Sequence, residues 1–180
     1  MSRAVPFQDK GRGATTERRT TTFFIALSAS ESMTEPDPST APYAPYRKRG
    51  VVGVIVRGDQ FLVIRRSLHV RAPGMYCFPG GTIEADESED QAIIRELFEE
   101  LSVVVRPVRR LWESTTAWNV HLAWWLLELD AEAVVEPNPL EVESWAWLTP
   151  AEMLTLPLLP SNVEFLAFWE QNQANGQPSA

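Results

Sequence analysis

The 180-residue chain is 44% hydrophobic and 22% charged, which excludes a collagen, a coiled coil and a wholly disordered protein; no apolar run approaches the ~18 residues that span a bilayer, so no membrane partner is expected. A single cysteine, Cys77, excludes internal disulfides and a cysteine-built zinc site, and two histidines, His69 and His121, leave little for a histidine-rich metal centre. The net charge of −8 is uneven, with 8 Lys+Arg against 5 Asp+Glu in residues 1–50 and 8 against 19 in the remainder, so the body repels a nucleic-acid backbone and suits an anionic substrate only through a divalent cation.

Residues 1–45 are rich in Ser, Thr, Pro and Ala and carry no sustained period, so a disordered N-terminal extension is expected there. Its apolar patch, Phe23 to Leu27, is barely long enough for a signal peptide and is preceded by Asp9 and Glu17, so a cytoplasmic location is expected. A translation start at Met33 would leave the first thirty-two residues out of the protein.

The ordered domain is expected over 46–172. Val51 to Arg57 reads as a buried strand, Gly58-Asp59 as a turn and Phe61 to Ile64 as the hairpin partner. A long loop over 65–83 contains Ala72-Pro73-Gly74 and Pro79-Gly80-Gly81. A helix follows from about Ser88 to Leu101, with Asp86–Glu89 and Ser88–Gln91 both satisfying a capping box. Val103–Val105, Val108–Ser114, Val120–Leu129 and Trp145–Leu148 are strand candidates. Thr149-Pro150-Ala151-Glu152 opens a short helix, and Ser161-Asn162-Val163-Glu164 repeats that device before a last helix carrying Leu166, Phe168 and Trp169. Residues 173–180 are expected to be a disordered tail. Strands mixed with a few helices predict an α/β fold, a sheet covered on both faces.

The segment from Gly80 to Val103 carries the chemistry. On a helix turning ~100° per residue, with Glu96 at zero, Glu100 falls at about 40° and Glu99 at about 300°, so three carboxylates share one face. Leu97, Leu101 and Ile94 fall at about 100°, 140° and 160° and are expected to pack inward. Like charges at these spacings repel, and a glycine-rich loop before the helix lets backbone carbonyls approach a common point. Hard oxygen ligands in this arrangement suit Mg²⁺, with Mn²⁺ able to substitute.

The segment resembles the signature of the Nudix hydrolases, a glycine, five residues, a glutamate, seven residues, then Arg-Glu-apolar-any-Glu-Glu-any-Gly-apolar. Here these are Gly81, Glu87, Arg95, Glu96, Leu97, Glu99, Glu100, Ser102 in place of the last glycine, and Val103. Eight of the nine specified positions match. The resemblance extends over roughly residues 48–170. It implies a Nudix fold, a mixed sheet between helices, and a Mg²⁺-dependent pyrophosphohydrolase of nucleoside diphosphates linked to another group.

By that resemblance Glu96, Glu99 and Glu100 hold the metal with the Gly80 carbonyl, and Arg95 pairs with Glu87 to orient them. A further carboxylate is expected from a loop before the late tryptophan strand, with Glu141 ahead of Glu143; Glu96, Glu100 and Glu141 are then the catalytic acids. Ser102 falls where glycine relieves a left-handed helix end, so it is expected to cost about 1 kcal/mol. Cys77 is expected in the core.

Locally the chain is similar to mutator-type members, which cleave oxidised guanine nucleotides. Arg66 precedes Phe78 by twelve residues, and Leu159-Pro160-Ser161-Asn162 resembles the turn whose asparagine reads the base. This implies Arg66 on the phosphate or sugar, Phe78 lining the base pocket, Asn162 on the purine edge and Arg71 nearby, with a purine nucleoside triphosphate cleaved to its monophosphate and pyrophosphate. Arg71 stands where that group has histidine, and Asn119 where it has arginine. The Arg66-Ser67 and Phe78-Pro79-Gly80-Gly81 runs also resemble coenzyme A pyrophosphatases; ADP-ribose and dinucleotides complete the alternatives. A non-catalytic nucleotide sensor is the alternative of another class, and such proteins usually lose the carboxylates this chain keeps. The expected partner is a small nucleotide substrate and no nucleic acid, and the protein is expected to be a monomer or homodimer.

Overall fold

A computed structural model describes residues 48–174. β-Branched residues fill all but one position of Val51 to Val56, and the strand they build, β1 (Lys48–Arg57), is buried on both faces. Gly58, at φ +64°, turns the chain into β2 (Gln60–Arg66). The two strands are paired only beside the turn, at Val56–Phe61 and Arg57–Gln60, and then part.

The fork between them is filled by the glycine-rich loop. β3 (Tyr76–Cys77) pairs with Ile64 and Arg65 of β2. On the other side the amides of Val51 and Gly53 donate to the carbonyls of Gly81 and Pro79 at 2.9 and 2.8 Å. The far edge of β1 runs parallel to β5 (Val120–Leu129), which pairs antiparallel with β4 (Val105–Thr115). The other edge of β2 takes β6 (Val142–Leu148).

Alternation along β1 and β2 divides the core. Val51, Ile55, Leu62 and Ile64 face α1 (Glu89–Leu101), which buries Ala92, Ile93, Leu97 and Leu101 against them. Val52, Val54, Phe61 and Val63 face the opposite side, where α2 (Pro150–Met153) and α3 (Pro160–Ala174) supply Met153, Phe165 and Leu166. The expected α/β sandwich is therefore present. Adjacent Trp124 and Trp125 point to opposite faces: Trp124 stacks on Phe165 with ring centroids 4.5 Å apart, and Trp125 donates from Nε1 to Glu89 at 3.0 Å.

Several boundaries differ from the sequence expectation. Ile94 is 37% exposed, because the inward arc of α1 is centred on Ile93 and Leu97 and leaves 94 at its margin. β4 starts at Val105 rather than Val103, since Ser102 ends α1 in the left-handed region at φ 56° and turns the chain. α3 starts at Pro160, ahead of the expected cap Ser161, because proline needs no amide partner in a first turn. It continues to Ala174, past the expected domain end at 172. The expected N-terminal extension, the Met33 start and the tail from 175 onward lie outside the described residues. Among the described residues no helix is long and apolar enough to cross a membrane.

Candidate active site

The acidic face of α1 is set by how the helix begins. Of the two capping boxes in the sequence, Ser88–Gln91 forms: the Ser88 amide donates to Gln91 Oε1 at 3.0 Å. Glu89 is drawn elsewhere, accepting from Arg49, Trp125 and Arg110 on three strands at 3.0, 3.0 and 3.3 Å. That grip fixes the rotation of the helix about its axis.

Glu96 and Glu100 then face the loop that fills the fork, at 9% and 5% exposure. Glu100 accepts a hydrogen bond from the Gly80 amide at 2.8 Å. Burial pushes its pKa up to about 8, against the pull of that bond, and the charges of Glu96 and Glu141 add to the rise. Glu96 is also raised, chiefly by burial. Glu99 points outward and is exposed.

Arg95 ties these acids together. It clasps Glu87 through two nitrogens at 2.8 and 2.9 Å, and its Nη2 also donates to the Thr82 carbonyl at 2.9 Å. Its Nη1 donates to Glu96 at 2.9 Å and to Glu99 at 3.0 Å. The Glu87 hydrogen bonds hold that carboxyl below its ordinary range. The pairing expected between Arg95 and Glu87 is thus present, with a guanidinium used as a planar fork.

The loop glycines make the approach possible. Gly80 sits at φ 141°, and a Cβ there would lie 2.2 Å from the Val51 carbonyl oxygen. A Cβ on Gly81 would lie 2.3 to 2.6 Å from the carboxylate atoms of Glu96.

The two loop acids separate clearly. Glu143 is exposed and pairs with Arg65 at 2.7 Å. Glu141 is half-buried, acts electrostatically on both Glu96 and Glu100, and has no ion pair among the described residues. Of the two, it is Glu141 whose charge bears on the helix carboxylates.

Arg66, at the end of β2, lies close enough for its charge to bear on Glu100. Its Nε donates to the Arg71 carbonyl at 2.7 Å, and Arg71 itself is exposed. Cys77 is buried, and desolvation pushes its thiol up to about 12, which suits the core and not nucleophilic attack.

Phe78 and Asn162 do come together, but not around an open pocket. The Phe78 amide donates to Asn162 Oδ1 at 2.8 Å, and both residues are 3% exposed. The Phe78 ring is edge-on to Phe61, Trp124 and Phe165. Aromatic burial on the α3 side claims the ring, and the main chain claims the amide oxygen. A groove of about 1120 Å³ between α3 and the β1–β2 turn is lined by Trp147, Trp169 and Leu154 and includes none of the four carboxylates.

Among the described residues no three acidic side chains close on one point, and Arg95 holds two of them. The chemistry of the donors nonetheless suits a hard divalent cation. Glu96 and Glu100 are buried carboxyl groups one turn apart whose proton affinity is raised, and both are oxygen donors beside the Gly80 backbone.

Sequence reasoning missed Ser67 and Asn138. The Ser67 amide and hydroxyl donate to the carbonyls of Glu141 and Leu140 at 2.9 and 2.6 Å. Asn138 lies in Glu136-Pro137-Asn138-Pro139, and an asparagine between prolines is a turn signal that would have drawn attention to it.

The family model of the NUDIX domain matches residues 47–168. The chain is 30% identical over 119 residues to the CTP pyrophosphohydrolase of Escherichia coli K12, covering 64% of this chain and 86% of that one. It is 32% identical over 124 residues to a MutT-like protein of Streptomyces ambofaciens, covering 67% and 75%. Among solved structures, the E. coli ORF135 protein superposes with a TM-score of 0.61 at 25% identity, over 73% of this chain and 94% of that one. A MutT protein from Methanosarcina mazei Go1 superposes with a TM-score of 0.61 at 23% identity, over 76% and 100%.

Proposed function

The chain belongs to the Nudix hydrolase family, and we propose that it is a Mg²⁺-dependent pyrophosphohydrolase that converts a nucleoside triphosphate to its monophosphate and pyrophosphate. The observation that carries the reading is the pair of buried carboxylates, Glu96 and Glu100, facing the Gly80–Gly81 backbone with Glu141 beside them. The likeness to a CTP pyrophosphohydrolase supports a triphosphate substrate.

Glu96, Glu99, Glu100 and the Gly80 carbonyl would hold the divalent ion. Held there, a divalent ion would supply charge neutralisation for the pyrophosphate and Lewis-acid polarisation of its phosphorus. Arg95 and Glu87 keep Glu96 and Glu99 in register, while the Gly80 amide orients Glu100. Arg66, beside Glu100, is placed to meet a phosphate oxygen. Glu141 takes the proton of the attacking water; water oxygen bonds to phosphorus, the bridging P–O bond breaks, and pyrophosphate leaves with the bond's electron pair. No covalent enzyme intermediate is needed.

The test is product analysis after incubation with CTP, dCTP, GTP, oxidised dGTP, ADP-ribose, a dinucleotide and coenzyme A, each with and without Mg²⁺. Monophosphate and pyrophosphate from a triphosphate, abolished by a chelator, is the expected outcome. Turnover restricted to ADP-ribose, the dinucleotide or coenzyme A would replace the substrate class, and none with any compound would favour a nucleotide sensor.

A further inference from the structure

We infer that Asn138 is a positioning residue that couples the helix carrying the acids to the loop carboxylate Glu141, an inference that rests on Glu141 serving the reaction as described above. The loop from 136 to 142 has few amides to spend, because Pro137 and Pro139 have none. Every remaining one is accounted for. Glu136 and Asn138 donate to the carbonyls of Leu101 and Glu100 at 3.0 and 2.8 Å, closing the otherwise unsatisfied end of α1. Leu140 donates to Asn138 Oδ1 at 3.1 Å, and Glu141 and Val142 donate to the Asn138 carbonyl at 3.0 and 2.8 Å.

Asn138 is therefore bonded to both carboxylate-bearing segments. Its amide grips the main chain of Glu100, and its carbonyl and side-chain oxygen fold the turn that presents Glu141. Its Nδ2 then points to Glu141 Oε1 at 3.4 Å. Ser67 braces the other side of the same turn through the Leu140 and Glu141 carbonyls. The distance between Glu141 and the acids of α1 is thus fixed by a short chain of bonds and not by packing of the Glu141 side chain itself. An asparagine suits both tasks: its oxygen accepts from the turn while its nitrogen donates to a carboxylate.

Asn138→Asp separates the two tasks, since the aspartate keeps the acceptor for Leu140 but replaces the donor with a charge that repels Glu141. The experiment is a cycle of wild type, Asn138→Asp, Glu141→Gln and the double variant. For each, kcat and KM are measured on a triphosphate the wild type hydrolyses, and Tm in metal-free buffer. Asn138→Asp is expected to lower kcat about 10–100-fold with the nucleotide KM unchanged, and to lower the metal-free Tm by about 2–4 °C. In the Glu141→Gln background the same substitution should change kcat by less than about twofold, with at least half of the Tm loss recovered. Equal loss in both backgrounds, or no loss in either, overturns the coupling. Wild-type turnover in Glu141→Gln overturns the role of Glu141 itself, and the coupling with it. If Asn138→Asp does not fold, Asn138→Ser repeats the kinetic cycle, because its hydroxyl still accepts from Leu140 but cannot reach Glu141.

Discussion

The carboxylate of Glu96 occupies the space that a side chain at Gly81 would fill: a Cβ there would sit 2.3 Å from Glu96 Oε2. A side chain there has room only if the Glu96 carboxylate moves away. Gly81→Ala should push Glu96 out of position, lowering turnover and destabilising the fold by about 1–3 kcal/mol. Urea unfolding and steady-state kinetics on one preparation would check both effects, and wild-type values for both would contradict the close approach.

Among the described residues the Glu100 carboxylate accepts only from a backbone amide, so its replacement by glutamine changes charge and little else. Glu100→Gln should reduce turnover by about 10²–10³-fold with the circular dichroism spectrum unchanged.

The same substitution has a pH signature. In the metal-free protein the folded pKa of Glu100 is about 8, above its ordinary 4.5. Neutral Glu100 then contributes stability that is fully present below its unfolded pKa and lost as pH rises through about 8. Wild type should accordingly lose stability relative to Glu100→Gln between these limits, and Mg²⁺ should raise the wild-type Tm more at pH 8 than at pH 5. Parallel stability curves for the two proteins in chelator would refute the buried charge.

Ser102 closes α1 at φ 56° and ψ 28°, where a side chain is strained, and its amide donates to Phe98 at 2.9 Å. Ser102→Gly should stabilise the protein by about 1 kcal/mol without altering turnover. Differential scanning calorimetry would register this as a higher Tm.

Asn162 holds the Phe78 main chain from within the α3-side core. Asn162→Ala leaves that buried amide without its acceptor and should cost about 1–3 kcal/mol in urea unfolding. A purely base-reading role would leave the unfolding curve unmoved.

The contrast between Glu100 and Asn162 explains what could be read from the chain alone. The acids of α1 were legible because helical spacing converts sequence positions into angles, and the Ser88–Gln91 cap and the Leu97–Leu101 face fix the phase. β5 was legible from its apolar run, Val120 to Leu129. What surrounds Phe78 was not legible, because Phe61, Trp124, Phe165 and the Asn162 oxygen lie well away from it along the chain and their approach has no local signature. Asn138 and Ser67 act on the main chain of one turn, and of the two only Asn138, between two prolines, carries a local signal of that task. The parting of β1 from β2 is likewise decided by what fills the gap, the segment from Tyr76 to Gly81.

The parallel pairing of β1 with β5 bears on how the protein is made. Lys48 finds its partner in Val120 and Ile55 in Leu127, some seventy residues later. During synthesis β1 and the helix acids emerge well before the strand that closes the sheet beside them, and closing so long a loop is slow. The apolar stretch Val51 to Val56 must therefore wait with one edge unpaired. Refolding of the isolated protein should be slow for its size, and most vulnerable to aggregation at high concentration until β5 docks.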